Sequence, residues 1–538
     1  MSAPGTPDGA PRPARRAAGL VAAGILLSRL AGLVRGRVFA HYFGNSDAAD
    51  AFTAALRIPN FLQNLFGEGV LSASFIPVYA GLLGRGEEKE ANRVAGVIAA
   101  VLSLLTAVLV LLGLLATPLL IDVIAPGFSG EKREWTIRLV RILFPGVGLL
   151  VLSAWCLGVL NSHRRFFLSY AAPVVWNATM IAAMLAFGRG SGNLYRLAAV
   201  VAGAATIGSA LQIAMQLPTV LRLARGLRLS LDTASAHVRE VFRSFGPVVL
   251  SRGVVQVSAY IDQMIASFLG SGAVASLNYA QTLYTLPVSL FGMAVSASEL
   301  PEMSRATGGA EEVAAYLRER LSSGLRRIAF LVVPSAMAFL ALGDVVAGLI
   351  FETGRFDHRA AVYVWAILAG SGVGLLASTL GRLYSSTFYA LHDTRTPLRY
   401  AVVRVALTTG LGYLSALPLP RALGIDVAWG AAGLTASAGV AGWVEFLLLS
   451  RGLGRRIGPV RLPAAFLVRL WSAALLAAAL GWGAKILLGA RGAGHPLVLG
   501  LSVLGLYGLG YFAASAALGL PEARQIVGGT FRRLRRRG

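Results

Sequence analysis

Six ionisable side chains fall inside or at the ends of apolar runs between residues 28 and 77: Arg29, Arg35, Arg37, Asp50, Arg57 and Glu68. A charge at the centre of a bilayer costs roughly 2.5–3.5 kcal/mol even on the most lenient scale, so such residues are expected to face a protein interior or a watery cavity. Four arginines against two acids leave cation over after any mutual pairing. Guanidinium binds phosphate through paired, permanently charged hydrogen bonds, and surplus arginine in a cavity therefore suits an anionic ligand.

Helical geometry sorts these charges onto faces. Asp50 and Arg57 are about two turns apart and project in nearly the same direction, and Glu68 stays within about 20° of them if the helix runs straight. Pro59 removes a backbone donor, and Gly67 and Gly69 loosen the turns that follow, so a bend is expected there. Arg29 and Arg35 lie about 9 Å apart along their axis on an arc of about 120°, with Arg37 nearly opposite Arg35. A structural alternative stands beside the binding one: Asp50 pairs with Arg57, Arg29 pairs with Glu68, and the pairs hold two helices together. Pro59–Asn60 and Asn278–Tyr279 sit at interrupted helices, where freed backbone and amide groups can meet a ligand. The second half offers Arg382, which alternatively snorkels to a loop about two turns away, and Arg404. It also offers Arg252, a gate-side counterpart of Arg29, and Asp262, an intramembrane acid suited to pairing with one of the arginines.

The elements that must position these residues follow from composition. Of 538 residues, 56% are hydrophobic and 14% charged, with a mean hydropathy of +0.67. A soluble domain carries about 25% charged residues, so the expected fold is an all-α polytopic membrane protein. Spans of about 20 apolar residues number fourteen, centred near residues 30, 62, 108, 148, 178, 207, 254, 286, 337, 373, 407, 437, 475 and 508. With the N-terminus cytoplasmic, the even-numbered loops and both tails hold most of the Lys and Arg, which is the positive-inside asymmetry. That asymmetry explains the net charge of +24 without nucleic acid. The basic run at 532–537 follows a membrane helix and suits anionic headgroups. The first apolar run continues through Arg29 and Arg35 without a small-residue cleavage site, so it reads as a retained helix and not a leader.

Several chemistries are not indicated. The single cysteine, Cys156, rules out an intrachain disulfide and a multi-cysteine metal site, and reads as a small buried hydrophobe. There is no GxxxxGK[ST] phosphate loop and no HExxH, and the six histidines are scattered. No catalytic residue, metal or cofactor is expected, and the chain is not read as an enzyme.

Short matches recur at a shared offset of 223 to 231 residues: LSR at 27–29 and 250–252, FG at 43–44 and LG at 269–270, Pro59 and Pro287, Leu160 and Leu391. Six helices return a chain to its starting side, so the halves are expected to be parallel repeats related by an axis along the membrane normal. Transporters built this way bind substrate between the repeats and rock them to alternate access. The expected organisation is a basic cytoplasmic tail (1–18), a six-helix lobe (19–221), a cytoplasmic linker (222–243), a second six-helix lobe (244–455), an extra helix pair (456–520) and a basic cytoplasmic tail (521–538).

SRLAGLVR, DAF at 50–52, RIPN at 57–60, LFGEG at 65–69 and FIPVY at 75–79 resemble the N-terminal signature of the MurJ (MviN) lipid II flippases. FYALHDTRTP at 388–397 and ASFLGSGAVASLNYA at 266–280 are similar to two further markers of that family. The resemblance implies the multidrug/oligosaccharidyl-lipid/polysaccharide exporter fold and transport of lipid II, an undecaprenyl-diphosphate-linked glycan, across the bacterial inner membrane for peptidoglycan synthesis. It implies a lipid-tail groove on the extra helix pair and cell-wall synthesis proteins as partners. By position, Arg29, Arg35, Asp50 and Glu68 match cavity residues of the family, and Arg57 falls where it has a basic residue. Combining both readings, Arg29, Arg35 and Arg57 are the expected diphosphate ligands, with Asp50, Pro59, Asn60 and Glu68 shaping the cavity or its gates. The chain departs from the family at Gln63 and Thr282, where arginines are common, and at Gly36, where helix 1 commonly has Asp. Asp262 matches a sodium-ligating position of some members, but Thr408 and Gly412 stand where its partners would be. Two other functions fit the same fold class: an exporter of another lipid-linked glycan or amphipathic compound, and a non-transporting scaffold for envelope synthesis.

Overall fold

The computed structural model describes residues 12–490 and 495–523, with side chains described for all of these except 12–23, 25, 68, 247–248 and 250–259. The first half runs α1 (Arg12–Phe43), α2 (Asp47–Phe66), α3 (Glu68–Gly84), α4 (Glu88–Ile124), α5 (Gly130–Ser162), α6 (Phe166–Phe187), α7 (Leu194–Leu223) and α8 (Ala236–Ala266). After it come α9 (Ala273–Pro287), a π-helical segment at Val288–Met293, α10 (Ala294–Ser304), α11 (Ala310–Ala341), α12 (Gly343–Phe351) and α13 (His358–Ala390). The chain closes with α14 (Arg395–Ala416), α15 (Pro418–Ala422), α16 (Gly430–Ile457), α17 (Ala464–Ala490) and α18 (Pro496–Ala517).

Each of the fourteen expected span centres falls in a helix. Among the described residues, 12 helical stretches are long and apolar enough to cross a membrane. The other two expected spans, α1 and α8, are helices of 32 and 31 residues whose side chains lie partly outside the described set. The contacts divide the chain into two compact units, Met1–Met264 and Ile265–Gly538.

In the first unit, α5 is the central helix and packs on α2, α3, α4, α6 and α7, while α6 also packs on α1. A polar clasp ties α5 to α7: Ser153 donates to Gln216 Oε1 at 2.7 Å and accepts from Gln212 Nε2 at 2.8 Å. Buried side-chain hydrogen bonds of this kind join helices where lipid supplies no hydrophobic drive for association. The opposite faces are apolar and bare, as on α4, where Leu115 and Leu119 are 71% and 70% exposed.

The interruption expected between Pro59 and Gly69 is present, and its position is sharper than the residues suggested. Pro59 lies inside a continuous α2, so the helix does not break there. The break falls at Gly67, with φ −92° and ψ −141°, where the N–H donates to Gln63 O at 2.7 Å. A Cβ on Gly67 would stand 2.2 Å from that carbonyl oxygen, so only glycine fits.

In the second unit, α13 is central and packs on α9, α10, α11, α12 and α16. Gly374 and Gly439 allow α13 and α16 to approach closely, since a Cβ on Gly374 would lie 2.3 Å from Gly439 Cα. The pair α17–α18 docks through α11 and α12. Pro334 has no N–H, which leaves the Phe330 carbonyl without its helical donor. Tyr511 of α18 donates its hydroxyl to that carbonyl at 2.6 Å, and Tyr507 donates to Pro334 O at 2.6 Å.

Candidate functional site

Arg35 stands on α1 where that helix packs against α6. Its guanidinium lies over the Trp176 ring, 4.9 Å from the centroid, and one terminal nitrogen approaches Met180 Sδ at 4.0 Å. A cation over an indole face gains about 0.5–2 kcal/mol, the upper end when desolvated. The ring gives Arg35 an orientation without consuming its charge. Among the described residues no carboxylate forms an ion pair with it.

Arg57 is held in a comparable way by a different ring. Its guanidinium carbon is 5.9 Å from the Tyr260 centroid, and the Tyr260 hydroxyl donates to the Arg57 backbone carbonyl at 2.9 Å. Phe61, one turn on, meets Tyr260 edge to face at 5.2 Å. Asp262 stands two residues beyond Tyr260 on the same helix.

One small hollow lies beside the ring under Arg35. Leu56, Pro59 and Asn60 of α2 line it together with Trp176, the indole under Arg35, and Thr206 and Ser209 of α7 close it. The Trp176 Nε1–H is buried without a hydrogen-bond acceptor among the described residues. The first unit thus mounts two guanidiniums on aromatic rings, and the indole under Arg35 shares the wall of the hollow with Asn60. Groups of that type are the ones an anion with several oxygens can use.

Asp50 meets a cation that lies on another helix. It is fully buried, and its carboxylate receives Lys132 Nζ at 2.6 Å. Lys132 also reaches Asp47 at 2.8 Å and sits over the Phe128 ring at 4.3 Å. Two helical turns put Asp50 and Arg57 about 10 Å apart along the axis, whereas the first turn of α5 lies beside the first turn of α2. Ser46 caps α2, accepting from Ala49 N at 3.2 Å.

The remaining candidates are dispersed. Arg29 is exposed on α1 and Arg37 half-buried, and both have interaction partners. The side chains of Glu68 and Arg252 lie outside the described residues, as does the expected Arg29–Glu68 pair. Arg382 is exposed on α13. Arg404 of α14 is paired with Glu445 of α16 at 3.1 Å, so its charge is already answered. Asn278 is exposed, and Thr282 donates its hydroxyl to the Asn278 carbonyl at 2.9 Å. Gly412 faces Leu434, which an added Cβ would meet at 2.8 Å. Among the described residues no three His, Cys, Asp or Glu are grouped to hold a metal.

The sequence reading missed Lys132, Trp176, Tyr260 and Glu445. Lys132 sits in the polar stretch GEKREW at the head of a span, and Trp176 in the apolar run VVWNATM. Tyr260 carried one available signal: it is an aromatic two residues before an intramembrane acid.

A sequence model of the family described as "Lipid II flippase MurJ" matches residues 39–502. The probable lipid II flippase MurJ of Rhizobium tropici is 32% identical over 498 residues, covering 89% of both chains. The lipid II flippase MurJ of Burkholderia cenocepacia is 32% identical over 439 residues, covering 80% of this chain and 82% of its own. Among solved structures, a lipid II flippase MurJ in an inward closed conformation superposes with a TM-score of 0.75 at 22% identity, over 93% of this chain and 98% of its own. An inward-facing multidrug resistance MATE family transporter of the MOP superfamily superposes with a TM-score of 0.62 at 17% identity, over 80% of this chain and 95% of its own. Both likenesses are of fold.

Proposed function

The chain belongs to the lipid II flippase MurJ family, and on that premise we propose that it moves lipid II across the bacterial inner membrane by alternating access. The observation that carries the proposal in this chain is Arg35: a guanidinium oriented by Trp176 with no carboxylate paired to it among the described residues. A diphosphate crossing hydrocarbon must exchange its water for fixed positive charge. In this reading Arg35 and Arg57 supply that charge from their aromatic mounts, and Arg29 supplies it at the exposed face of α1. Pro59 and Asn60 shape the wall between them. Asp50, closed on Lys132, acts at a gate, and Glu68 belongs to the same wall by sequence.

The prenyl chain stays in lipid along the helix pair 456–520 while the polar head crosses, served by the lobes 19–221 and 244–455. Both tails and the linker 222–243 lie on the cytoplasmic side, and Arg252, Asp262, Arg382 and Arg404 are subsidiary to the head-group path. Cell-wall synthesis enzymes use the delivered head group and are the partner class this role calls for. The chain performs no bond-making or bond-breaking step in this account. Cationic substrates of the kind an exporter of cationic drugs would take are disfavoured by the same arginines.

Reconstitution into liposomes tests the proposal. Translocation of lipid II, scored by access of an impermeant reagent to the head group, should exceed that of a neutral glycolipid with the same prenyl chain. Equal rates for the two would remove the diphosphate from the recognition step.

A further inference from the structure

The second unit contains a separate hollow of about 210 Å³, lined by Asp344 and Glu352 at the two ends of α12, His358 at the start of α13, Lys485 near the end of α17, and Pro496 and Gly500 on α18. Ends of α12, α13, α17 and α18 meet there. Four ionisable side chains in one hollow beside a helix pair exposing Leu487, Val498 and Leu501 are more than docking of that pair requires.

Its chemistry becomes clear against the first half of the chain. DVIA at 122–125 recurs as DVVA at 344–347. Asp122 is satisfied on both oxygens by Arg133, at 2.7 and 3.0 Å, and is half-exposed. Asp344 is 4% exposed and gives only Oδ2 to Lys485. Its Oδ1 has no hydrogen-bond partner among the described residues. Beside it, Glu352 meets His358 Nδ1 at 3.3 Å. A buried carboxylate oxygen without a donor costs about 1–3 kcal/mol or more, so an acceptor in this position calls for an N–H. Lys485 answers Asp344 Oδ2 and the His358 ring meets Glu352, so the acceptor left without a donor among the described residues is Asp344 Oδ1, and a cationic donor suits it.

We propose that this hollow binds a phospholipid whose headgroup carries a primary ammonium. The ammonium donates to Asp344 Oδ1 and to Glu352, the phosphate lies towards Lys485, and the acyl chains run over the apolar faces of α17 and α18. Gly489 also lines the hollow, and among the described residues nothing lies within 4 Å of where its Cβ would be. The lipid would fasten the helix pair to the rest of the second unit and is distinct from the transported molecule. A quaternary ammonium has no N–H and cannot satisfy Asp344, and an anionic headgroup would be repelled by the two acids.

The test uses the full-length protein, delipidated and returned to nanodiscs or micelles containing equal amounts of phosphatidylethanolamine, phosphatidylcholine and phosphatidylglycerol with identical chains. Retained lipid is then counted by native mass spectrometry. A charge-assisted hydrogen bond predicts about tenfold preference for the primary amine over the choline lipid. Asp344→Asn should lower that preference to near unity, and so should Glu352→Gln, which leaves the Lys485 contact in place and guards against a folding defect in the first variant. Equal retention of the amine and choline lipids, preference for the anionic lipid, or unchanged preference in Glu352→Gln would each overturn the proposal.

Discussion

The Arg35 guanidinium of α1 and the Trp176 indole of α6 meet at 4.9 Å. That ring has Arg35 over one face, and it also helps to wall the hollow beside Pro59 and Asn60. The contact converts a mobile cation into an oriented one before any substrate arrives, which is how pre-organisation raises affinity.

Trp176→Ala should therefore weaken lipid II binding by about 2- to 30-fold, the range of a cation–π contact of about 0.5–2 kcal/mol. Trp176→Phe should retain most of it. Binding of fluorescent lipid II to the purified variants measures both, and equal losses in the two would mean that an aromatic face under the guanidinium is not what sustains binding.

Removing Lys132 should unfold more than it disables. Lys132→Met leaves the fully buried Asp50 without its cation, and breaking a buried pair on one side costs about 3–5 kcal/mol. The double variant Asp50→Asn/Lys132→Met should recover much of that loss. Thermal unfolding in detergent of the two proteins, compared with the parent, reads the difference directly.

Tyr511→Phe and Tyr507→Phe separate two hydrogen bonds of equal length, 2.6 Å each. Tyr511 serves a carbonyl that Pro334 has stripped of its helical donor, whereas the Pro334 carbonyl keeps its own donor four residues on. Interhelical hydrogen bonds in membranes average about 0.6 kcal/mol, so Tyr507→Phe should cost about that much. Tyr511→Phe should cost about 1–2 kcal/mol, because it strands a buried acceptor. Melting temperatures that rank the two variants in the other order would contradict the assignment.

Acid sensitivity should appear at the turn between α13 and α14. The Asp393 carboxyl is held down to about 2 by Thr396, through its hydroxyl and its backbone N–H, with Arg456 adding attraction. A depressed carboxyl contributes stability that is present above its unfolded value of about 3.9 and is lost as pH falls through about 2. The stability gap between the parent and Asp393→Asn should thus be constant above about pH 5 and close progressively between about pH 4 and 2. A gap that persists at pH 2 would show that the charge is irrelevant to the turn.

The spans were legible because hydropathy over twenty residues reports directly on a low-dielectric environment. The break in the second span was legible too, since Pro59, Gly67 and Gly69 advertise weakened helix, although only packing around Gln63 selected Gly67. Partners were not legible. Asp50 meets Lys132 across 82 residues, Arg57 meets Tyr260 across 203, and Arg404 meets Glu445 across 41. Helical periodicity sees neighbours only within a few turns along one element, so Lys132, on another helix, was invisible to it. The rings under Arg35 and Arg57 were hidden for a related reason: an aromatic in an apolar span looks like core until a cation is found above it.

The central claim is that Arg35 reads the diphosphate. Lipid II translocation by Arg35→Ala, reconstituted at the same protein density as the parent, tests it most directly, with Arg421→Ala, an exposed cation on α15, as a control on general charge. The account predicts loss of at least about tenfold in rate for Arg35→Ala, as expected when a charge-assisted contact is removed, with Arg421→Ala near the parent. Parental rates for Arg35→Ala in correctly folded protein would contradict it.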